Sequence, residues 1–263
     1  MSGLEGYSIY PTPHDLPQAL QRYCMEAGDS GIYIFHHRFC VCPFPLAFPV
    51  PLRDLLSKRE GDAMAVLASG KTLSYLMHHE KPYRPEVLID LLNDGHFNNT
   101  PAQYWQLVRD VWVNIDLPED SPYWAEMLAA DIGNSQDMMC EKDREDLAVM
   151  PDPIRVWRGV EGSDEASALE AVRTGHSWSV SKEIAARFAK SFARSNGKAW
   201  VGSVLVSKTQ VVAYLTDRGE AEIILHPEDV TGLDMELISL GTKTAGFSDP
   251  EDKLSASQTS EAQ

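Results

Sequence analysis

Glu220 and Glu222 stand two residues apart in the segment Glu220-Ala221-Glu222. Read as the entry to a strand, the pair shares one face, because strand side chains alternate, and a rise of about 3.3 Å per residue sets their backbones roughly 7 Å apart. Two carboxylates so spaced suit the cleavage of a bond to a sugar's anomeric carbon. One steadies the oxocarbenium-like cation and the other takes a proton from the group attacking the opposite face. Inverting glycosidases hold their carboxyls about 6.5–9.5 Å apart for this reason. Taken alone the pattern is weak, since paired acids on a strand edge are as a rule a solvated face.

Two other short pieces carry chemistry-bearing side chains. Arg158-Gly159 follows the apolar residues Ile154, Val156 and Trp157. An arginine there can fork two hydrogen bonds onto a pyrophosphate, and a glycine lets a flat ligand approach the backbone; the plainer reading is a surface ion pair. Ser177 and Ser179 flank Trp178 and share one side of a strand. A serine hydroxyl both donates and accepts, so it can orient a carboxylate and a ribose hydroxyl together, although polar strand residues are common without any such role. Trp178 points the other way, toward a core.

The elements that must position these residues lie in the last of three zones. From the MPDP turn (150–153) onward, short strands alternate with single helices. IRVWRG (154–159) reads as a strand, ASALEAV (166–172) as a helix, HSWSV (176–180) as a strand, and 182–195 as a helix. In that helix Ile184, Ala185, Phe188, Ala189 and Phe192 form one face and Gly197 supplies the stop. AWVGSVLV, QVVAYL, AEIIL and MELISL follow as strands rich in β-branched residues.

The first zone, 1–98, is mixed. GIYIFHHRFCVC (31–42) predicts a strand or hairpin, the prolines at 43, 45, 49 and 51 end regular structure, and 52–78 and 85–93 read as helical. The second zone, 99–150, is helical. Pro101 suits a first helical position after Thr100; Leu107, Val108, Val111, Trp112 and Ile115 form an apolar stripe, and Trp124, Met127 and Leu128 face inward beyond Pro122. This stretch is expected to pack on the zone that follows. A polar tail, 244–263, is expected to be disordered.

Composition narrows the functional classes. A net charge of -16 and a pI near 4.8 argue against tight nonspecific nucleic-acid binding, which needs clustered Lys and Arg. The four cysteines, Cys24, Cys40, Cys42 and Cys140, read as free thiols in a reducing compartment. The tract His36, His37, Cys40, Cys42 is the metal-like one, but no second ligand pair completes a site, and no metal is expected. With no signal-peptide pattern and no long apolar run, the expected setting is cytoplasmic, away from membranes.

The order Arg158…Ser177-x-Ser179…Glu220-x-Glu222 resembles the mono-ADP-ribosyltransferases of the R-S-E class. Flanking segments extend the likeness. SWSVSKEIAARFA resembles the family's serine strand and following helix, with its Ala185 and Phe188; VVAYLTDRGEAEIIL resembles the turn-and-glutamate segment; LAVMPDPIRVWRG looks like the lead-in of bacterial and phage members. The resemblance covers about residues 145–240.

It implies an α+β fold, an ADP-ribosyltransferase-like split β-sandwich of two small sheets with flanking helices, beside an N-terminal mixed, mainly helical region. It implies NAD as co-substrate. Arg158 would hold the phosphates and Gly159 the nicotinamide carboxamide through its backbone. Ser177 would fix Glu222 and the nicotinamide ribose, with Ser179 in support and Phe188 near the nicotinamide. Glu222 would steady the oxocarbenium ion, and Glu220 would orient and deprotonate the acceptor. The loop 216–219 would face the target, where Arg218 could contact it. Trp178 departs from the family's usual threonine, and the loop around Ser195, Asn196 and Gly197 is short.

A glutamate at 220 goes, within that family, with protein arginine as acceptor. RNA or DNA bases, plain NAD glycohydrolysis, and a non-catalytic NAD-binding or scaffold role stay open. The family also implies a role as a toxin or phage–host effector, with a neutralising antitoxin or chaperone as a further partner.

Overall fold

The computed structural model describes residues 6–28, 30–114, 122–193 and 197–242, apart from the side chains of Arg218 and Thr242. Ile115, Ser195, Asn196 and the predicted disordered tail lie outside the described residues. The chain divides into two compact units, Met1–Cys140 and Glu141–Gln263. Both are mixed α+β, with antiparallel sheets. No helix among the described residues is long and apolar enough to cross a membrane.

The N-terminal unit begins with β1 (Ser8–Tyr10) and α1 (Gln18–Gln21), then β2 (Cys24–Glu26), β3 (Tyr33–His37), β4 (Cys40–Pro43) and β5 (Leu46–Phe48). β2, β3 and β4 form an antiparallel sheet whose β3–β4 hairpin coincides with the aromatic tract, while β1 pairs with β5. The prolines around residue 45 thus bracket one further strand instead of ending regular structure. The helices are α2 (Leu52–Ala68), α3 (Thr72–Met77), α4 (Arg84–Asn93), α5 (Pro101–Asn114) and α6 (Tyr123–Leu128). The helical tract predicted over 52–78 is broken at Gly70, whose φ of +76° ends the first helix in the left-handed conformation that glycine accepts.

α5 buries Tyr104, Trp105, Leu107, Val108, Val111 and Trp112. Tyr104 donates to the Met127 carbonyl at 2.9 Å and Trp105 Nε1 to the Ile132 carbonyl, so indole and phenol keep their polar tips satisfied inside an apolar core. These bonds tie 99–140 together, and Phe97 packs edge-on to Tyr104. The unit boundary therefore falls between Cys140 and Glu141, where the sequence pattern predicts breaks at 98 and 150. Of the predicted helical zone, α7 (Glu141–Val149) alone belongs to the second unit.

That unit continues with β6 (Ile154–Gly162), α8 (Glu165–Arg173), β7 (Ser177–Ser179), α9 (Lys182–Phe192), β8 (Lys198–Val206), β9 (Val211–Leu215), β10 (Glu222–Leu225), α10 (Pro227–Val230) and β11 (Glu236–Thr242). Asp164 caps α8 by accepting from the Ser167 amide, and Ser181 caps α9 by accepting from the Ile184 amide, each satisfying an otherwise orphaned donor. α9 stops at Phe192, well short of Gly197.

The strands form one antiparallel sheet in the order β11-β8-β6-β7-β10-β9. Its middle joint is narrow. β6 pairs with β8 over its whole length, from Ile154↔Val206 to Gly162↔Lys198, yet meets β7 at the single pair Trp157↔Ser179. Two three-stranded ladders, β11-β8-β6 and β7-β10-β9, thus share one hinge-like register point. The resemblance implies two small sheets; here the two ladders are joined by hydrogen bonding at that one pair.

Candidate active site

The predicted site residues collect at this joint. β7 lies antiparallel to β10 with Glu222 opposite Ser179 and Ile224 opposite Ser177. Directly opposed residues share a face, so Ser177, Ser179 and Glu222 project to the same side. Ser177 Oγ donates to Glu222 Oε1 along the diagonal of the ladder. Glu222 is only 6% exposed. A carboxylate that deep is costly unless charge-assisted hydrogen bonds meet it, and the serine supplies one.

Trp178, on the opposite face, is 1% exposed, and its indole N–H donates to the Gly175 carbonyl at 3.2 Å. His176 is buried too. Its Nδ1 lies 3.0 Å from the Leu225 carbonyl, and its own carbonyl accepts from the Leu225 amide at 2.9 Å. The tryptophan and histidine therefore lock the β7–β10 pairing behind the serines.

Arg158 is half-buried, and its guanidinium meets backbone carbonyls. Its Nη1 donates to the Ser177 carbonyl at 2.7 Å and its Nε to the Ala171 carbonyl at 3.4 Å. The guanidinium also fills the space beside Gly175, where a Cβ would fall 1.9 Å from Cζ. The arginine braces the end of α8 and the first residue of β7, across the gap that opens where β7 parts from β6.

Gly159 carries a correction. The sequence predicts a glycine that admits a ligand to the backbone. On its Cβ side it admits α9 instead: a Cβ there would lie 1.9 Å from the Ala185 carbonyl and 2.7 Å from the Ala189 amide. Ala185 and Ala189 are buried against it, so the small-residue face of α9 seats directly on β6. Phe188 lies a quarter-turn away, half-buried, stacked on Phe192 at 5.8 Å and 21°. Phe192, which shares that face, is 39% exposed. Across β6, Lys182 Nζ and Arg155 Cζ lie 5.2 and 5.9 Å from the Trp157 ring centroid.

The glutamate pair is also arranged differently from a plain strand. β10 starts at Glu222, and Glu220 closes a short 3-10 turn, Asp217–Gly219, in a helical conformation. Gly219 (φ +69°) and Ala221 (φ +46°) are both left-handed. The backbone thus reverses hand on either side of Glu220, and the period-two argument for a shared face does not hold. Glycine takes that conformation freely, whereas alanine costs about 1–2 kcal/mol there. The strain at Ala221 is held by hydrogen bonds. Val180 N–H donates to the Ala221 carbonyl at 3.1 Å and Ser179 Oγ to the Glu220 carbonyl at 2.9 Å, while Ser179 Oγ accepts from the Ser181 amide. Ser179 therefore holds the glutamate turn rather than a glutamate side chain.

One residue at the site lies outside every predicted motif. Asp143, on α7, is fully buried and accepts a hydrogen bond from Thr216 Oγ1 at 2.7 Å. Thr216 is the residue from which the turn departs. Nothing in the local sequence EKDREDLAV separates Asp143 from its acidic neighbours; the tertiary contact alone does.

The tract His36, His37, Cys40, Cys42 lies on the β3–β4 hairpin of the other unit. Cys40 and Cys42 Sγ atoms stand 3.5 Å apart, and His36 Nδ1 is 2.6 Å from the Tyr83 hydroxyl. Among the described residues no three His, Cys, Asp or Glu side chains group as metal ligands.

No family model matches this chain, and no curated protein or solved structure is similar enough to match it.

Proposed function

We propose that the second unit is an NAD-dependent mono-ADP-ribosyltransferase that breaks the nicotinamide–ribose bond and passes ADP-ribose to a macromolecular acceptor, with protein arginine favoured. The observation that carries this reading is the buried Glu222 held by Ser177 across the β7–β10 ladder. Arg158 donates to the Ser177 carbonyl, and Glu222 pairs with Ser179, the residue at which the two ladders meet. The order and flanks of these residues match the R-S-E pattern, and the tertiary contacts give the pattern a physical unit.

In this reading Glu222 meets the nicotinamide ribose and steadies positive charge as the bond to nicotinamide breaks, a role that preorganised charge performs well in a site shielded from water. Ser177 keeps the carboxylate aimed. Arg158 holds the β7 end in place and contributes positive charge for the phosphates. Gly159 lies on the stretch of β6 beyond the single β7 pair, so its backbone serves the carboxamide from the strand edge, its Cβ side being taken by α9. Nicotinamide leaves with the bonding pair; the acceptor nitrogen forms the new bond to the anomeric carbon, and Glu220 takes the proton it loses. A guanidinium has a pKa above about 12, so that proton must be drawn off during attack.

The test is label transfer from NAD radiolabelled in the adenylate moiety, with cell lysate as acceptor source. The protein and its Glu222→Gln variant are compared, and products are digested in parallel with protease and with nuclease. Glu222-dependent label lost to protease is the expected result. Loss to nuclease moves the acceptor to RNA or DNA, and nicotinamide release without label makes the enzyme a glycohydrolase. Absence of both nicotinamide release and label with the unmodified protein would overturn the catalytic reading.

A further inference from the structure

We infer that Asp143 is a positioning residue that fixes the glutamate turn and thereby governs transfer to the acceptor, as distinct from cleavage of NAD. The inference rests on the catalytic reading above. Its basis is how the segment 216–222 is tied. The far end is held three ways: by the ladder pairing of Glu222, by Ser177, and by the Ser179 and Val180 bonds to the carbonyls of Glu220 and Ala221. At the near end, the hydrogen bond from Thr216 Oγ1 to Asp143 ties the start of the turn to α7.

Asp143 is suited to that task. Its carboxylate is wholly buried and lies in the first turn of α7, where the helix dipole favours negative charge. The helix is itself secured at its other end, where Lys208 Nζ donates to the Ala148 carbonyl at 2.7 Å and the Lys208 amide donates to Asp152. A rigid post therefore anchors a strained turn whose Ala221 needs outside restraint to stay left-handed.

The two glutamates depend on this post unequally. Glu222 is aligned by β10 whatever the turn does. Glu220 sits in the turn, between two left-handed residues, with its carbonyl held by Ser179, so its placement depends on the start of the turn far more than that of Glu222 does. Releasing Thr216 should leave bond cleavage at the ribose nearly intact and misplace the group that accepts the acceptor's proton.

The experiment compares the unmodified protein with Asp143→Ala, Asp143→Asn and Thr216→Val, using NAD and poly-arginine as the acceptor probe. Nicotinamide release without acceptor and label transfer are measured separately. Hydrogen exchange at amides 217–222 is followed in the same preparations. Asp143→Ala and Thr216→Val should each lower transfer about tenfold or more, keep release within about threefold, and speed exchange at 217–221. Asp143→Asn, which keeps an oxygen for Thr216, should recover part of both. Equal losses of transfer and release, or exchange unchanged at 217–221, would overturn the inference. Should the unmodified protein release no nicotinamide, the catalytic reading fails on its own, and the exchange data still decide whether Asp143 holds the turn.

Discussion

The core of the N-terminal unit is richer in aromatic rings and that of the C-terminal unit in small side chains and buried polar groups, although Trp178 is buried in the second and Thr72 and His79 in the first. Trp105, Trp112, Trp124, Tyr104, Phe35 and Phe97 are all nearly inaccessible in the first, where Trp112 and Trp124 meet edge to face at 4.7 Å. The second relies on Val, Ala and glycine-mediated contact between helix and strand, and it buries Asp143, His176, Ser179, Ser203 and Glu222. Ring burial yields large stabilisation, with a directional demand at the polar tips that Tyr104 and Trp105 meet with backbone carbonyls. Buried polar groups add little net stability and demand exact partners. Four of those five, Ser203 being the exception, lie along α7, β7 and β10, around the turn that carries the glutamates. The difference locates where the fold gives stability up, and a site that must hold charge in place is a physical reason for doing so.

That contrast can be broken by substitution. Trp112→Ala should cost the first unit about 3–5 kcal/mol, a large share of a typical domain's stability; urea unfolding followed by tryptophan fluorescence measures it, and a loss below about 1 kcal/mol would deny the ring core its weight. Glu222→Gln should do the reverse in the second unit. Label transfer should fall roughly 100-fold or more, about 3 kcal/mol of barrier, while the melting temperature holds or rises because a buried charge is gone. A parallel loss of stability would show the carboxylate to be structural.

Gly159→Ala tests the close seating of α9 on β6. The added methyl meets the Ala185 carbonyl, so a destabilisation of about 1–3 kcal/mol is expected, read by thermal unfolding; a silent substitution would mean that the helix can slide.

Acidification should weaken the first unit. Burial pulls His37 and His79 down to about 4, with the nearby Arg38 adding to the effect on both. Their neutral forms are favoured in the fold, whereas the unfolded chain protonates them near its ordinary value of about 6.5. Stability from these two is therefore complete above about pH 6.5, is lost as pH falls toward 4, and changes little further below that. The first unit's midpoint should fall by roughly 10 °C between pH 7 and 5, and His79→Gln should flatten that dependence. An unchanged slope in that variant would remove His79 from the account.

The smallest effect sharpens the comparison. Ala221→Gly should relieve about 1 kcal/mol of left-handed strain yet lower label transfer several-fold, because the turn gains freedom. A gain in both stability and transfer would mean that the strain serves nothing.

Much of the second unit was written in its pattern. β6, α8, β7, α9 and the four later strands follow from period-two and period-3.6 spacing, while the caps Asp164 and Ser181 emerge only in the structure. The candidate site was legible as residue types in order: Arg158, Ser177, Ser179 and Glu222 do converge. Less legible were residues whose meaning depends on what lies across from them. Gly159 reads as ligand access until α9 is packed on it; Arg158 reads as an exposed cation until β7 parts from β6 and leaves two carbonyls to be met. Glu220 and Glu222 share a strand face by arithmetic, but Ala221 turns left-handed, which no local rule assigns to alanine. The boundary at residue 140 was hidden because helices joined by short connections look continuous whichever core they join.

The sequence by itself determined most of the second unit's elements and the set of side chains able to do chemistry, because these depend on neighbours within a few residues. Tertiary structure alone decided that Ser177 reaches Glu222, that Asp143 holds Thr216, and that β6 and β7 meet at one pair. Those contacts join residues 45, 73 and 22 positions apart, and such pairings are set by packing and register, quantities that belong to the whole fold and to no segment of it.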